Sequence, residues 1–185
     1  DFTFRRILLQ LARFGAETTA RETARYQQEK MLLTPPGTII ERFIEVHDGF
    51  PTHATGIVGQ NAGRAFRSIL FFSQGMPSIL HGADKGIGTL LARLNDIRGA
   101  LPEMRRGKVD YLAVKSTPGV FAPLHVMKRA ATVAAVSLFG HPREVTFQIP
   151  VEKMGFDSGE KVVVYELQSG RKLGEGPLNS FATFT

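Results

Sequence analysis

Thr38-Ile-Ile-Glu-Arg-Phe-Ile-Glu-Val-His-Asp48 is the stretch that decides how this chain is read. Up to Val46 it is short, rich in β-branched side chains and apolar at Ile39, Ile40, Phe43, Ile44 and Val46, which is the texture of a largely buried strand. His47 and Asp48 follow at once, and then a loop holding Gly49, Pro51, Gly56 and Gly59. An imidazole and a carboxylate therefore stand where a buried strand gives way to a loop.

Upstream, Phe4, Ile7, Leu8, Leu11 and Phe14 recur at three- and four-residue spacing, which predicts an amphipathic helix from Thr3 to about Leu33. Asp1 or Thr3 can cap it, Gly15 is a natural break, and Pro35-Pro36-Gly37 ends it. Downstream, Ala65, Phe66, Ile69, Leu70 and Ser73 share one face of a helix from about Asn61 to Gln74, stopped by Gly75. Pro77 to His81 reads as a second strand. After the glycine-rich Gly82 to Gly88 comes a third helix, with Leu90, Leu91, Leu94, Ile97, Arg98 and Leu101 at helical spacing. Helix, strand, helix, strand, helix implies parallel strands joined by a crossover helix.

Beyond Gly107 the texture changes to short strand-like runs at 109–114, 121–127, 132–138, 144–149, 161–167 and 180–185, parted by turns such as Thr117-Pro-Gly119 and Gly140-His-Pro142. That pattern predicts an antiparallel sandwich. The division falls between Gly107 and Asp110, making 1–108 one unit and 109–185 another.

The 185 residues are 43% hydrophobic and 22% charged, as in an ordinary globular protein. The net charge of +6 is scattered, with basic pairs at Arg5-Arg6, Arg105-Arg106 and Lys128-Arg129, rather than gathered with aromatics as in a nucleic-acid binder. The absence of cysteine excludes disulfides and thiolate metal sites. No apolar run approaches the roughly 20 residues that span a bilayer. Compartment, cytoplasmic or exported, and oligomeric state are left open.

Function in a parallel barrel collects at the C-terminal ends of the strands. That places His47, Asp48 and His53 after the first strand and His81 and Asp84 after the second, all on one rim. A metal suits them least, because six residues of Gly/Pro loop between His47 and His53 match no usual zinc spacing. A sugar suits them better: Asp accepts from adjacent hydroxyls, His donates to another, and an ionised Asp stabilises an oxocarbenium-like transition state. Taken alone, the pair reads more readily as a turn-capping Asp beside a hydrogen-bonded His.

Phe43-Ile-Glu-Val-His47-Asp48 resembles the strand-end motif of the alpha-amylase family, an aromatic followed by Asn-His-Asp. Gly75-Met-Pro77-Ser-Ile-Leu-His-Gly82 resembles the Gly-x-Pro-x-x-x-x-Gly segment of that family's last barrel strand. Residues 94–107 look like the final barrel helix and the turn after it. The resemblance implies an α/β plus all-β chain: the last strands and helices of a (β/α)8 TIM barrel over 1–108, then the family's C-terminal β-sandwich over 109–185. It implies a retaining glycoside hydrolase or transglycosidase acting on alpha-glucosidic linkages of an alpha-glucan or oligosaccharide, with Asp48 as the transition-state stabiliser and His47 as a substrate-binding residue. No cofactor is required by it; calcium occurs in the family at positions these motifs do not locate.

A retaining mechanism also needs a nucleophile and a general acid about 5 Å apart, and in the family these lie on earlier strands. Residues 1–107 supply two strands, where a closed barrel needs eight and about 250 residues. The expectation is a chain cut from a longer protein and inactive alone. Val46 stands where the family usually has Asn, no Arg follows Asp48 in the loop, and Gly82-Ala-Asp-Lys85 lacks the usual acidic pair. These departures carry an alternative expectation, a non-catalytic amylase-like protein for carbohydrate binding or association. A further rival is a short-chain dehydrogenase, which the Gly82 to Gly88 turn, Asn61-Ala-Gly63 and the Tyr111/Lys115 pair resemble, but in an order that does not fit that family.

Overall fold

Asp1 begins the first helix as its N-cap, its carboxylate accepting the Phe4 N–H at 3.2 Å. In a computed structural model that describes residues 1–46, 58–83, 85–157 and 159–185, the expected long helix is two. α1 spans Phe2–Leu11 and α2 spans Ala16–Leu33, joined by a 3-10 turn and by Gly15 at φ 89°, a conformation only glycine adopts cheaply. α2 ends just before Pro35, as expected.

The two strands run parallel, with β1 (Glu41–Arg42) paired to β2 (Met76–Pro77) and α3 (Gln60–Phe72) between them in the chain. Both strands are far shorter than the apolar runs suggest. Backbone bonds from Met76 N–H to the Ile40 carbonyl and from Ser78 N–H to the Arg42 carbonyl, each 2.8 Å, extend the pairing slightly. Ile39 is 76% exposed whereas Arg42 is buried, the reverse of what hydrophobicity alone predicts. Gly75, at φ 114°, sits so close to β1 that a Cβ there would lie 2.3 Å from the Ile40 carbonyl oxygen. α4 (Gly88–Ala100) packs on α3, and the short α5 (Pro102–Arg106) follows.

The remainder forms small antiparallel sheets. β3 (Lys108–Asp110) pairs with β6 (Leu124–Met127), which pairs with β7 (Ala130–Val133). β4 (Lys115–Ser116) and β12 (Thr183–Phe184) flank β9 (Phe147–Gln148), and β5 (Val120–Phe121) pairs with β8 (Val136–Ser137). β10 (Lys161–Glu166) and β11 (Arg171–Pro177) form a hairpin. The expected run 121–127 is broken at Pro123, which cannot donate to a ladder.

The larger core joins Phe4 and Leu8 of α1, Phe66, Ile69 and Leu70 of α3 and Leu94 and Ile97 of α4 to Val109, Tyr111, Phe121 and Val136, so it draws on residues from both sides of position 108. A smaller cluster holds Val114, Val120, Ala122 and Leu124. Among the described residues no helix is long and apolar enough to cross a membrane.

Candidate active site

Because β1 and β2 are parallel and in register, the chain leaves both at the same edge. Four residues past the last pair stand Val46 on one path and His81 on the other. His81 is exposed, in the turn that follows β2. His47, Asp48, His53 and Asp84 lie outside the described residues.

Beneath that edge a buried arginine holds the two paths together. Arg67 of α3 has no exposed surface. Its Nη2 donates to the Glu45 carboxylate at 2.5 Å and to the Ala83 carbonyl at 3.0 Å, and Nη1 donates to the Gly63 carbonyl one helical turn back at 3.0 Å. Glu45 precedes His47 by two residues, is itself buried, and forms an ion pair with Arg67. A carboxylate removed from water needs such a partner.

The opposite end of the strand pair is held by a second set of side chains. Between α3 and β2 the backbone turns without regular structure, and each carbonyl from Phe71 to Gly75 finds a side-chain donor. Arg98 of α4 serves Phe71 at 2.5 Å, Ser73 at 3.0 Å and Gly75 at 2.5 Å. His125 Nε2–H donates to the Phe72 carbonyl at 3.0 Å, and Arg42 Nε–H to that of Gln74 at 2.6 Å. The Gln74 N–H in turn donates to the Tyr111 hydroxyl at 2.8 Å. Arg42 also meets Asp1 at 3.1 Å and lies over the Phe4 ring, 5.4 Å from its centroid.

Desolvation lowers the pKa of both Arg42 and Arg98, the neighbouring Tyr111 working against it. Burial raises that of the Tyr111 hydroxyl. Burial likewise pulls His125 down to about 4, the bond to Phe72 opposing and the Arg98 charge assisting, so this histidine is neutral at physiological pH.

Hydrophobic spacing misses Arg42 and Arg67, since a charged residue is assigned to the surface by default. The signal was present: Arg67 is three residues before Leu70 and four before Phe71, on the buried stripe, and Arg42 lies between Ile40 and Ile44. Arg98 does fall within the apolar stripe read for α4. Of the dehydrogenase echo, Tyr111 is buried with its hydroxyl engaged, while Lys115 is exposed on β4, so the pair shares no helix.

Among the described residues no three His, Asp or Glu side chains gather closely enough to hold a metal. A groove of about 680 Å³ lies elsewhere, against the paired strands β3 and β6, with Arg106, Lys108, Asp110 and Lys153 on its walls.

No protein-family model matches the chain, and no curated protein matches it by sequence. In fold it is similar to the crystal structure of a noncanonic maltogenic alpha-amylase from Thermotoga neapolitana, with a TM-score of 0.66 and 14% sequence identity. The match covers 85% of this chain and 42% of that one, so the chain spans less than half the length of its structural neighbour. The chain thus has a fold shared with part of an alpha-amylase, and at 14% identity the likeness speaks for the fold alone.

Proposed function

We propose that this chain is the C-terminal portion of an alpha-amylase-like retaining glycosidase or transglycosidase: 1–108 closing a (β/α)8 barrel and 109–185 forming the C-terminal β-sandwich. The observation that carries the reading is the parallel β1–β2 pair, with His47-Asp48 five and six residues beyond β1 in the sequence, within a fold that matches 85% of the chain to part of an amylase. In this reading the substrate is an alpha-glucan or oligosaccharide. The Asp48 carboxylate stabilises positive charge developing on the sugar ring, and His47 donates a hydrogen bond to a sugar hydroxyl. The nucleophile and the general acid belong to earlier strands of the same barrel, and Glu45, paired to Arg67, serves as neither.

The test is Asp48→Asn in the polypeptide that carries this chain together with those strands. Turnover on maltooligosaccharides should fall by about a hundredfold or more while ground-state sugar binding changes little, because the charge acts at the transition state. Unchanged turnover would remove Asp48 from the reaction. Val46 in place of the family's Asn favours a second reading, a non-catalytic amylase-like protein for carbohydrate binding or association. It predicts sugar binding with no turnover even before mutation.

A further inference from the structure

Past the Ser78 N–H to Arg42 carbonyl bond, the two strands part, and the segments 43–46 and 79–83 need something other than a ladder to fix their separation. We infer that Arg67 is a positioning residue that clamps these segments at a set spacing through the Glu45 carboxylate and the Ala83 carbonyl. For its catalytic consequence this rests on the glycosidase reading above.

Three features make Arg67 suited to the work. It sits on α3, the crossover helix anchored in the larger core by Phe66, Ile69 and Leu70 on either side of it. Its Nη1 is tied to the Gly63 carbonyl of its own helix, so the guanidinium cannot swing. Its Nη2 alone reaches one group on each strand path, Glu45 at 2.5 Å and Ala83 at 3.0 Å. A planar fork places donors in all these directions at once; a lysine, with one nitrogen on a flexible stem, cannot. Glu45 precedes His47 by two residues, and the Ala83 carbonyl belongs to the turn that holds His81. A loosening of the clamp is therefore passed directly to both sides of the rim, and a shift of about 1 Å in a catalytic group costs about a hundredfold in rate.

Arg67→Lys separates clamping from charge, since it keeps a cation beside Glu45. Glu45→Gln/Arg67→Met removes both charges of this pair together, which guards against a lysine variant that does not fold. Backbone amide exchange should quicken in both 43–46 and 79–83 by about tenfold or more, with the β10–β11 hairpin unchanged as internal control. In the polypeptide bearing the upstream strands, kcat on maltooligosaccharides should fall about ten- to a hundredfold with KM within about twofold, well below the melting temperature of every variant. Unaltered exchange, or quickening in one segment only, would overturn the clamp. If the unmutated polypeptide cleaves no maltooligosaccharide, the glycosidase reading fails, and the exchange measurement decides the clamp by itself.

Discussion

The junction between α3 and β2 and the β10–β11 hairpin both use charged side chains, in opposite ways. At the junction Arg42 and Arg98 are buried, and the Arg42 Nε–H and both Arg98 terminal nitrogens donate to backbone carbonyls that have no regular partner. On the hairpin, charge meets charge in water: Lys161 reaches Glu175 at 2.6 Å and Lys172 reaches the same carboxylate, while Val163 and Tyr165 stand exposed beside them. The difference teaches what a charge contributes in each place. A buried guanidinium satisfies acceptors that would otherwise be stranded, at about 1 to 3 kcal/mol each. An exposed ion pair exchanges one set of solvated contacts for another.

Arg98→Met should break the comparison most visibly. It strands the Phe71, Ser73 and Gly75 carbonyls, and the unfolding free energy in urea should fall by about 4 kcal/mol; Glu175→Gln should leave the midpoint where it was. A loss of the same size in both variants would erase the distinction. Glycines sharpen it further. Gly75→Ala drives a Cβ into the Ile40 carbonyl at φ 114° and should cost about 3 kcal/mol. Gly170→Ala, at φ 73° in the hairpin turn with nothing within 4 Å, should cost about 1 kcal/mol.

Titration separates the same regions by pH. His125, with its ordinary value of 6.5 brought down to about 4 by burial, gives its full contribution above pH 6.5 and loses it as pH falls toward 4. The loss should total about 3 kcal/mol, and His125→Gln, which keeps an amide donor, should flatten that slope. Glu175, drawn from 4.5 to about 2 by Lys161 and Lys172, titrates only below pH 4.5, and as a solvent-screened group it adds little to stability there. Its removal should leave the slope between pH 6.5 and 4 unaltered.

Helices were the legible part of the fold, because their periodicity is local: the Asp1 cap, the break at Gly15 and the end before Pro35 all follow from residue chemistry. The parallel pairing was legible from the order of elements. The strand lengths were not, since an apolar run records burial, and burial here comes from helices packed around a pair of two-residue strands. β11 escaped notice because Gly174, Gly176 and Pro177 look like a turn. Its glycines make room for another part of the chain: a Cβ on Gly174 would lie 2.7 Å from the Phe181 ring. His47 and Asp48 lie outside the described residues, so their place in the site rests on the proposed function, whereas the Glu45–Arg67–Ala83 bracket joins residues that only the fold brings together.

On the proposed function, this chain completes an amylase-like active site it does not wholly contain. The decisive measurement is release of reducing ends from maltooligosaccharides by the 185 residues alone and by the polypeptide that includes the preceding strands. No release is expected from the former and catalytic release from the latter. Hydrolysis by the 185 residues alone, or none by the longer polypeptide, would contradict that function.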